Sequence, residues 1–287
     1  TWEAALSAAG AGLRGVRESL AEAAPPFRLA LCRPPGHHAG PTSVKGFCVL
    51  NNASVAAAAA LEAGARRVAI WDWDAHHGNG TQEAFYHSPE VLVLSWHRHP
   101  YFPFTGAPEL RGQGDGLGFN VNLPLERGEG DEALLYAADE LFLPLIREFE
   151  PDLIVVSAGF DAHRFELLGG LEATAAGFGA LAVKLMDLAQ EVCRGRVVGV
   201  LEGGYDLDAL SRCVCAVVGA VLTEEAPTVA LSPVRPSLGS RVLDAWTGRV
   251  KSTHRQDLLR TDSHQRCRKN TKNQSVREKH APPQTDD

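Results

Sequence analysis

Methionine occurs once in the 287 residues, and phenylalanine, tyrosine and tryptophan together make up only 7% of them. The six cysteines (Cys32, Cys48, Cys193, Cys213, Cys215 and Cys267) contain no Cys-x-x-Cys pair. Neither a disulfide framework nor a cysteine zinc cluster is therefore indicated, and a reducing compartment, cytoplasmic and/or nuclear, fits best. No apolar run approaches the roughly 18 residues of a membrane span; the alanine-rich stretch 56–61 stops at Glu62. Thr1 opens the chain inside an apparent helix with neither initiator methionine nor signal peptide, so the expectation is a fragment lacking N-terminal structure.

Basic charge is also scarce over most of the chain. The net charge of −7 divides unevenly, because residues 249–287 hold ten Lys and Arg against five Asp and Glu, leaving 18 against 30 for residues 1–248. An acidic body argues against direct nucleic-acid binding. The basic tail has no apolar period and reads as solvated and disordered. What is present in quantity is ordinary globular material, 45% hydrophobic and 22% charged.

Periodicity alternates short apolar strands with helices. Strands are expected at 28–32, 67–71, 91–95, 153–157 and 197–201. Helices are expected at 2–24, 52–63, 81–86, 131–148, 174–192 and 207–222. Connections of this length require crossovers, hence one α/β domain over 1–223 with a mainly parallel sheet flanked by helices on both faces. Residues 224–287, rich in proline, serine and charge, fall outside that unit. The glycine-rich stretch 112–118 lacks the lysine of a phosphate loop and reads as plain loop.

Reactive residues fall where parallel strands end, the place at which open sheets bind ligands. The first strand leads into Pro35-Gly36-His37-His38. The second leads into Asp72-Trp73-Asp74-Ala75-His76-His77-Gly78-Asn79. The strand at 153–157 leads to Gly159-Phe160-Asp161, and that at 197–201 to Glu202-Gly203-Gly204-Tyr205. Asp74 and His76, two apart on extended backbone, share a side. With Asp161 they form a three-ligand set with an open position, the pattern of a catalytic rather than a structural zinc. Hydrolysis by a metal-activated water needs a base and an acid, which the tandem His37 and His38 supply. Asp72 and Asn79 fit as partners on the far nitrogens of those rings, although Asp72 fits a backbone turn equally well. Tyr205 after two glycines fits a donor to a developing oxyanion, although a solitary Gly-Gly-Tyr is more commonly a turn with a half-buried ring.

These motifs together resemble the zinc-dependent deacetylase family: histone deacetylases of the class II type, their bacterial relatives and the acetylpolyamine amidohydrolases, within the arginase/deacetylase superfamily. The matching text is RPPGHHA (33–39), GFCVLNNASVAA (46–57), DWDAHHGNGTQEAF (72–85), SWHRHPYFP (95–103), VSAGFDAH (156–163) and LEGGYD (201–206), in the family's order. The resemblance implies one Zn2+ on Asp74, His76 and Asp161. It implies His38 as general base and acid with His37 as its electrostatic partner, both oriented by Asp72 and Asn79, and Tyr205 on the acetyl oxygen. It further implies a substrate tunnel lined by Phe47, Phe102, Leu168 and Gly204, and a K+ ion near Asp72, Asp74, His76, Ser95 and Trp96. The implied substrates are acetylated lysine side chains of histones or other proteins, and the implied role is that of a chromatin regulator. The family has glycine where Phe104 stands, and Asp-Pro-Leu where Glu166-Leu167-Leu168 stand, which implies an altered tunnel mouth.

Three alternatives remain at this point: a deacetylase of acetylpolyamines or other small amides, an inactive truncated isoform, and an arginase-type two-metal hydrolase. The last needs a further carboxylate where Gly78 stands.

Overall fold

In the computed structural model, residues 1–21 and 27–230 are described. Six strands form one sheet, all pairings parallel: β1 (Phe27–Ala30), β2 (Val68–Asp72), β3 (Val91–Arg98), β4 (Asn120–Leu125), β5 (Leu153–Ala158) and β6 (Val197–Leu201). Their spatial order is β1-β6-β5-β2-β3-β4. Seven α-helices connect them: α1 (Trp2–Ser19), α2 (Asn52–Glu62), α3 (Asn79–Phe85), α4 (Asp131–Ala137), α5 (Leu143–Phe149), α6 (Ala175–Cys193) and α7 (Leu207–Thr223).

Strand alternation divides the core in two. Val68 and Ile70 of β2, Val155 of β5 and Val198 and Val200 of β6 face α1 and α2, where Val16, Ala53, Ala56, Ala57 and Ala60 pack against them. The intervening Ala69, Trp71, Ile154 and Val156 face the larger layer built by α4 to α7. There Trp71, Trp96 and Phe142 meet at centroid separations of 5.2–5.6 Å. Alanines of α2 pack against the β-branched face of the sheet, while the aromatic cluster fills the core opposite.

Two elements differ from expectation. β4 is a strand where the sequence suggested none. Its Asn-Val-Asn-Leu-Pro-Leu alternates polar and apolar residues and contains Pro124, which a central strand would not accommodate; as the sheet's edge strand, paired only with β3, it tolerates proline. The helix expected over 131–148 is instead α4, a π-helical turn over Ala138–Phe142, and α5. Pro144 has no N–H for the carbonyl four residues back and its ring crowds that carbonyl, so the hydrogen-bond register slips just before it. The first helix ends at Ser19, and the final three residues of its expected span (22–24) lie outside the described residues, as does the tail from 231 onward.

Topology positions the site. From β2 the chain runs outward to β3 and β4, then returns to β5 on the other side of β2 and continues to β6 beside β1. Connections leaving β2 and β5 therefore diverge, and a crevice opens beyond their carboxyl ends. The β2 loop carries Asp74 and His76, the β5 loop Asp161. The loops after β1 and β6, also neighbours, carry His37 and His38 on one side and Tyr205 on the other.

Candidate metal centre and tunnel

The three candidate ligands converge in the crevice between β2 and β5. Among the described residues, Asp74, His76 and Asp161 form the one set of three or more His, Cys, Asp or Glu whose ligand atoms all lie within 4.8 Å of one another, and all three are buried. His76 Nδ1 lies 2.9 Å from both Asp74 Oδ1 and Asp161 Oδ2. On its far side, His76 Nε2 is 3.1 Å from the carbonyl of Leu168, an acceptor that fixes a proton on Nε2. Nδ1 then turns toward two carboxylates, and the set is completed by one positive charge among them.

The charges agree. Burial lowers the His76 imidazolium, but the Asp161 and Asp74 carboxylates override it and push the ring up to about 11. Burial and the neighbouring Asp74 push Asp161 up to about 6. Asp161 Oδ2 is buried with the His76 ring as its one close polar partner among the described residues, while Oδ1 accepts the Ala75 amide at 2.8 Å. Asp74 Oδ2 accepts the Gly203 amide at 2.9 Å. Two buried carboxylates converging on one imidazole nitrogen, all within 4.8 Å, fit the donor set of a divalent ion such as zinc. Close approach explains Gly203, since a Cβ there would run into both carboxylates.

The histidine pair lies beside this cluster. His37 Nδ1 is 2.9 Å from Asp72 Oδ2, and His38 Nδ1 is 2.9 Å from Asn79 Oδ1. An amide oxygen only accepts, so His38 Nδ1 carries the proton and Nε2 keeps its lone pair. Burial opposes a charge on His37, yet Asp72 and Asp74 push it up to about 10. Burial, followed by that neighbouring cation, pulls His38 down to about 3. The rings are 4.0 Å apart, a charged imidazolium beside a neutral base. Burial and the Asp74 and Asp161 carboxylates push the Tyr205 phenol up, keeping it a proton donor.

A cavity of about 350 Å3 opens onto the cluster, lined by His38, Gly46, Phe47, His76, Tyr101, Phe102, Leu168 and Tyr205. Phe102 meets His38 edge-on at 5.0 Å, and Phe47 meets Tyr205 edge-on at 5.8 Å. Gly46 admits the His38 ring, which a Cβ would strike. Among the described residues, five non-glycine residues adopt left-handed backbone: Glu150, Arg194 and Glu224 cap helix ends, whereas Phe47 and Phe104 lie on the loops forming the cavity wall. Strain of that kind collects at binding sites.

At Gly204 a side chain would face Leu210 and Phe160, and the carbonyl accepts from Arg33. Gly203 is the glycine that the site requires. Trp96 buries its indole in the core, so only its main chain is available to an ion. Ser95 stands beside Asp72 in the β2/β3 register, and its hydroxyl is 3.0 Å from His97 Nδ1.

Several contributors stood in or beside the motifs without a role assigned from sequence. Tyr101 stacks on His76 at 5.6 Å between centroids, and the Arg98 guanidinium lies 3.7 Å from the Tyr101 ring centroid. Glu202, fully buried, accepts the Gly36 and His37 amides through Oε2 and so joins the β1 and β6 loops. Burial and Asp72, partly offset by His37, push it up to about 7. Glu166 accepts the Tyr205 and Asp206 amides. The residues flanking Glu202 and Glu166 were informative; that these two carboxylates would hold neighbouring loops depends on backbone geometry.

A parallel α/β sheet with a buried three-ligand cluster beyond its switch point defines the class. The chain belongs to the histone deacetylase family: the family's domain, described as Histone deacetylase domain, matches residues 1–221. It is 45% identical over 229 residues to Histone deacetylase 10, chloroplastic, of Oryza sativa subsp. japonica, covering 78% of this chain and 52% of the relative. It is 41% identical over 269 residues to Polyamine deacetylase HDAC10 of Homo sapiens, covering 90% and 40%. The chain thus spans about half the length of these relatives or less. A solved structure titled Crystal Structure of HDA15 HD domain superposes with a TM-score of 0.79 at 38% identity, covering 91% of this chain and 71% of that one.

Proposed function

We propose that this protein is a zinc-dependent amide hydrolase that removes acetyl groups from acetyl-lysine side chains of histones or other proteins. The observation carrying this reading is the convergence of His76 Nδ1 with Asp74 and Asp161 at the end of the cavity, next to a neutral His38 and a protonated Tyr205. Asp74, His76 and Asp161 hold one Zn2+, which when bound supplies Lewis acidity to the amide carbonyl and to water.

This chain's own residues do the rest. Phe47, Phe102 and Leu168 enclose the methylene stem of an acyl-lysine, whose burial favours entry while its amide reaches the cluster. His38 Nε2 takes a proton from the attacking water and returns it to the departing lysine amine. His37, ion-paired with Asp72, holds positive charge where negative charge develops. Tyr205 donates to the acetyl oxygen as it becomes an oxyanion. A K+ ion near Asp72, Asp74, His76, Ser95 and Trp96 belongs to the same reading, as does a catalytic domain ending near residue 223.

A second substrate class is favoured by one specific observation, the 41% identity to a relative named a polyamine deacetylase. Against it stands the cavity wall, whose lining residues include no carboxylate to receive a second ammonium group. Parallel assays on an acetyl-lysine peptide and on acetylspermidine decide between them. Faster turnover of the peptide supports the proposal, faster turnover of acetylspermidine replaces the substrate, and turnover of neither with zinc bound overturns the enzymatic reading.

A further inference from the structure

The loop between Asp161 and Gly169 meets the site in three places. Asp161 contributes a carboxylate to the candidate metal cluster. The Leu168 carbonyl faces His76 Nε2 at 3.1 Å. Between them, Glu166 turns inward although its neighbour Leu167 is 95% exposed; Glu166 itself is only 6% exposed. Its Oε1 accepts two consecutive amides, Tyr205 N–H at 2.7 Å and Asp206 N–H at 2.9 Å.

A carboxylate is a costly group to bury, and burial is tolerated where it is hydrogen-bonded. Helix α7 does not need Glu166 as its cap, because Asp206 already performs that task by accepting the Ala209 amide. What Glu166 holds is the peptide segment on which Tyr205 is mounted, immediately after Gly203 and Gly204. Gly204 has φ of 130°, a conformation that leaves the segment few intrinsic restraints. The segment is also held before Gly204, where the Gly203 amide donates to Asp74 Oδ2 and its carbonyl accepts from Phe160. At Gly204 itself, Arg33 Nη1 donates to the carbonyl, and the Tyr205 ring meets Phe47 edge-on and the Arg33 guanidinium at 5.5 Å.

We propose that Glu166 is a positioning residue for Tyr205: by binding the Tyr205 and Asp206 amides together, it fixes the phenol's approach to the acetyl oxygen. This rests on the deacetylase reading above. The expected consequence is on turnover rather than substrate binding, because the oxyanion contact is made in the transition state.

The test uses the full chain with zinc and an acetyl-lysine peptide. Glu166→Met fills similar space without an acceptor, and is expected to lower kcat by about 10- to 100-fold, the scale of a misplaced catalytic group, with KM and zinc content unchanged. Glu166→Gln keeps an oxygen acceptor and is expected to recover most of that loss. In a Tyr205→Phe background, Glu166→Met should cost less than about threefold more, because the group it positions is already gone. Equal losses in both backgrounds, or no recovery in Glu166→Gln while both variants melt like the unmodified chain, would overturn the proposal. A wild-type chain that binds zinc but turns over no amide would instead count against the deacetylase reading itself.

Discussion

At the scale of single residues, the site is organised by opposite demands on neighbouring groups. His37 is held charged by Asp72, and burial followed by that charge keeps His38 neutral. Asp74 and Asp161 require one positive charge between them, and in the metal-free protein a proton on His76 supplies it, since that ring is raised to about 11. Zinc and that proton compete for one place. A ligand whose metal-free pKa lies far above neutrality binds metal more tightly as pH rises toward it. Zinc affinity, measured by chelator competition, is therefore expected to rise about tenfold per pH unit between pH 6 and 9, and a flat response would exclude proton displacement from His76. Tyr205→Phe removes one oxyanion donor and is expected to lower kcat by about 100- to 1,000-fold with zinc retained; unchanged turnover would remove Tyr205 from the role proposed for it. The candidate ligands were legible because each follows a strand end at short spacing. Glu166, Glu202 and Tyr101 were not, since a carboxylate that binds backbone amides across 35 or more residues of chain, or a ring stacked on a ligand, leaves no periodic trace.

At the scale of elements, the strands do two jobs. Their alternating apolar faces fix them between the helical layers, and their common direction delivers every reactive loop to one end. Ile70, fully buried on the α1/α2 face of β2, lies two residues before Asp72. Ile70→Ala is expected to destabilise the protein by about 2–5 kcal/mol, read from denaturant unfolding; a loss below about 1 kcal/mol would mean that this layer packs less tightly than its burial indicates. Gly203→Ala should be more damaging to the site than to the fold, because its methyl meets the Asp74 and Asp161 carboxylates. Zinc loss with an otherwise native circular dichroism spectrum is the expected outcome, and full zinc content would show that the carboxylates can move aside. All-apolar strands such as Val197–Leu201 were readable to within a residue because burial on both faces leaves no polar position. β4 escaped because two of its buried positions are asparagines, Asn120 and Asn122, satisfied by Gln82 and the Leu110 carbonyl, and the π-helical turn escaped because helical periodicity does not report a shift of hydrogen-bond register.

At the scale of the whole molecule, sheet order converts sequence order into a site. Residues 74, 76 and 161 are brought together because β5 returns to the side of β2 opposite β3; His37, His38 and Tyr205 meet because β1 and β6 are neighbours. The parallel α/β architecture was legible from helix and strand alternation, but the strand order was not, because chain connectivity alone does not say on which side of β2 the strand β5 inserts. The described cysteines Cys32, Cys48, Cys193, Cys213 and Cys215 are all free, so no disulfide among the described residues locks this arrangement, and no described helix is long and apolar enough to cross a membrane. The central claim is that two aspartates and one imidazole, gathered by this topology, bind a single ion. Elemental analysis of the folded protein after zinc loading and gel filtration tests it most directly. One zinc per chain, lost in Asp161→Asn without loss of secondary structure, is the expected result; no stoichiometric zinc in the unmodified chain, or the same zinc content in Asp161→Asn, would contradict it.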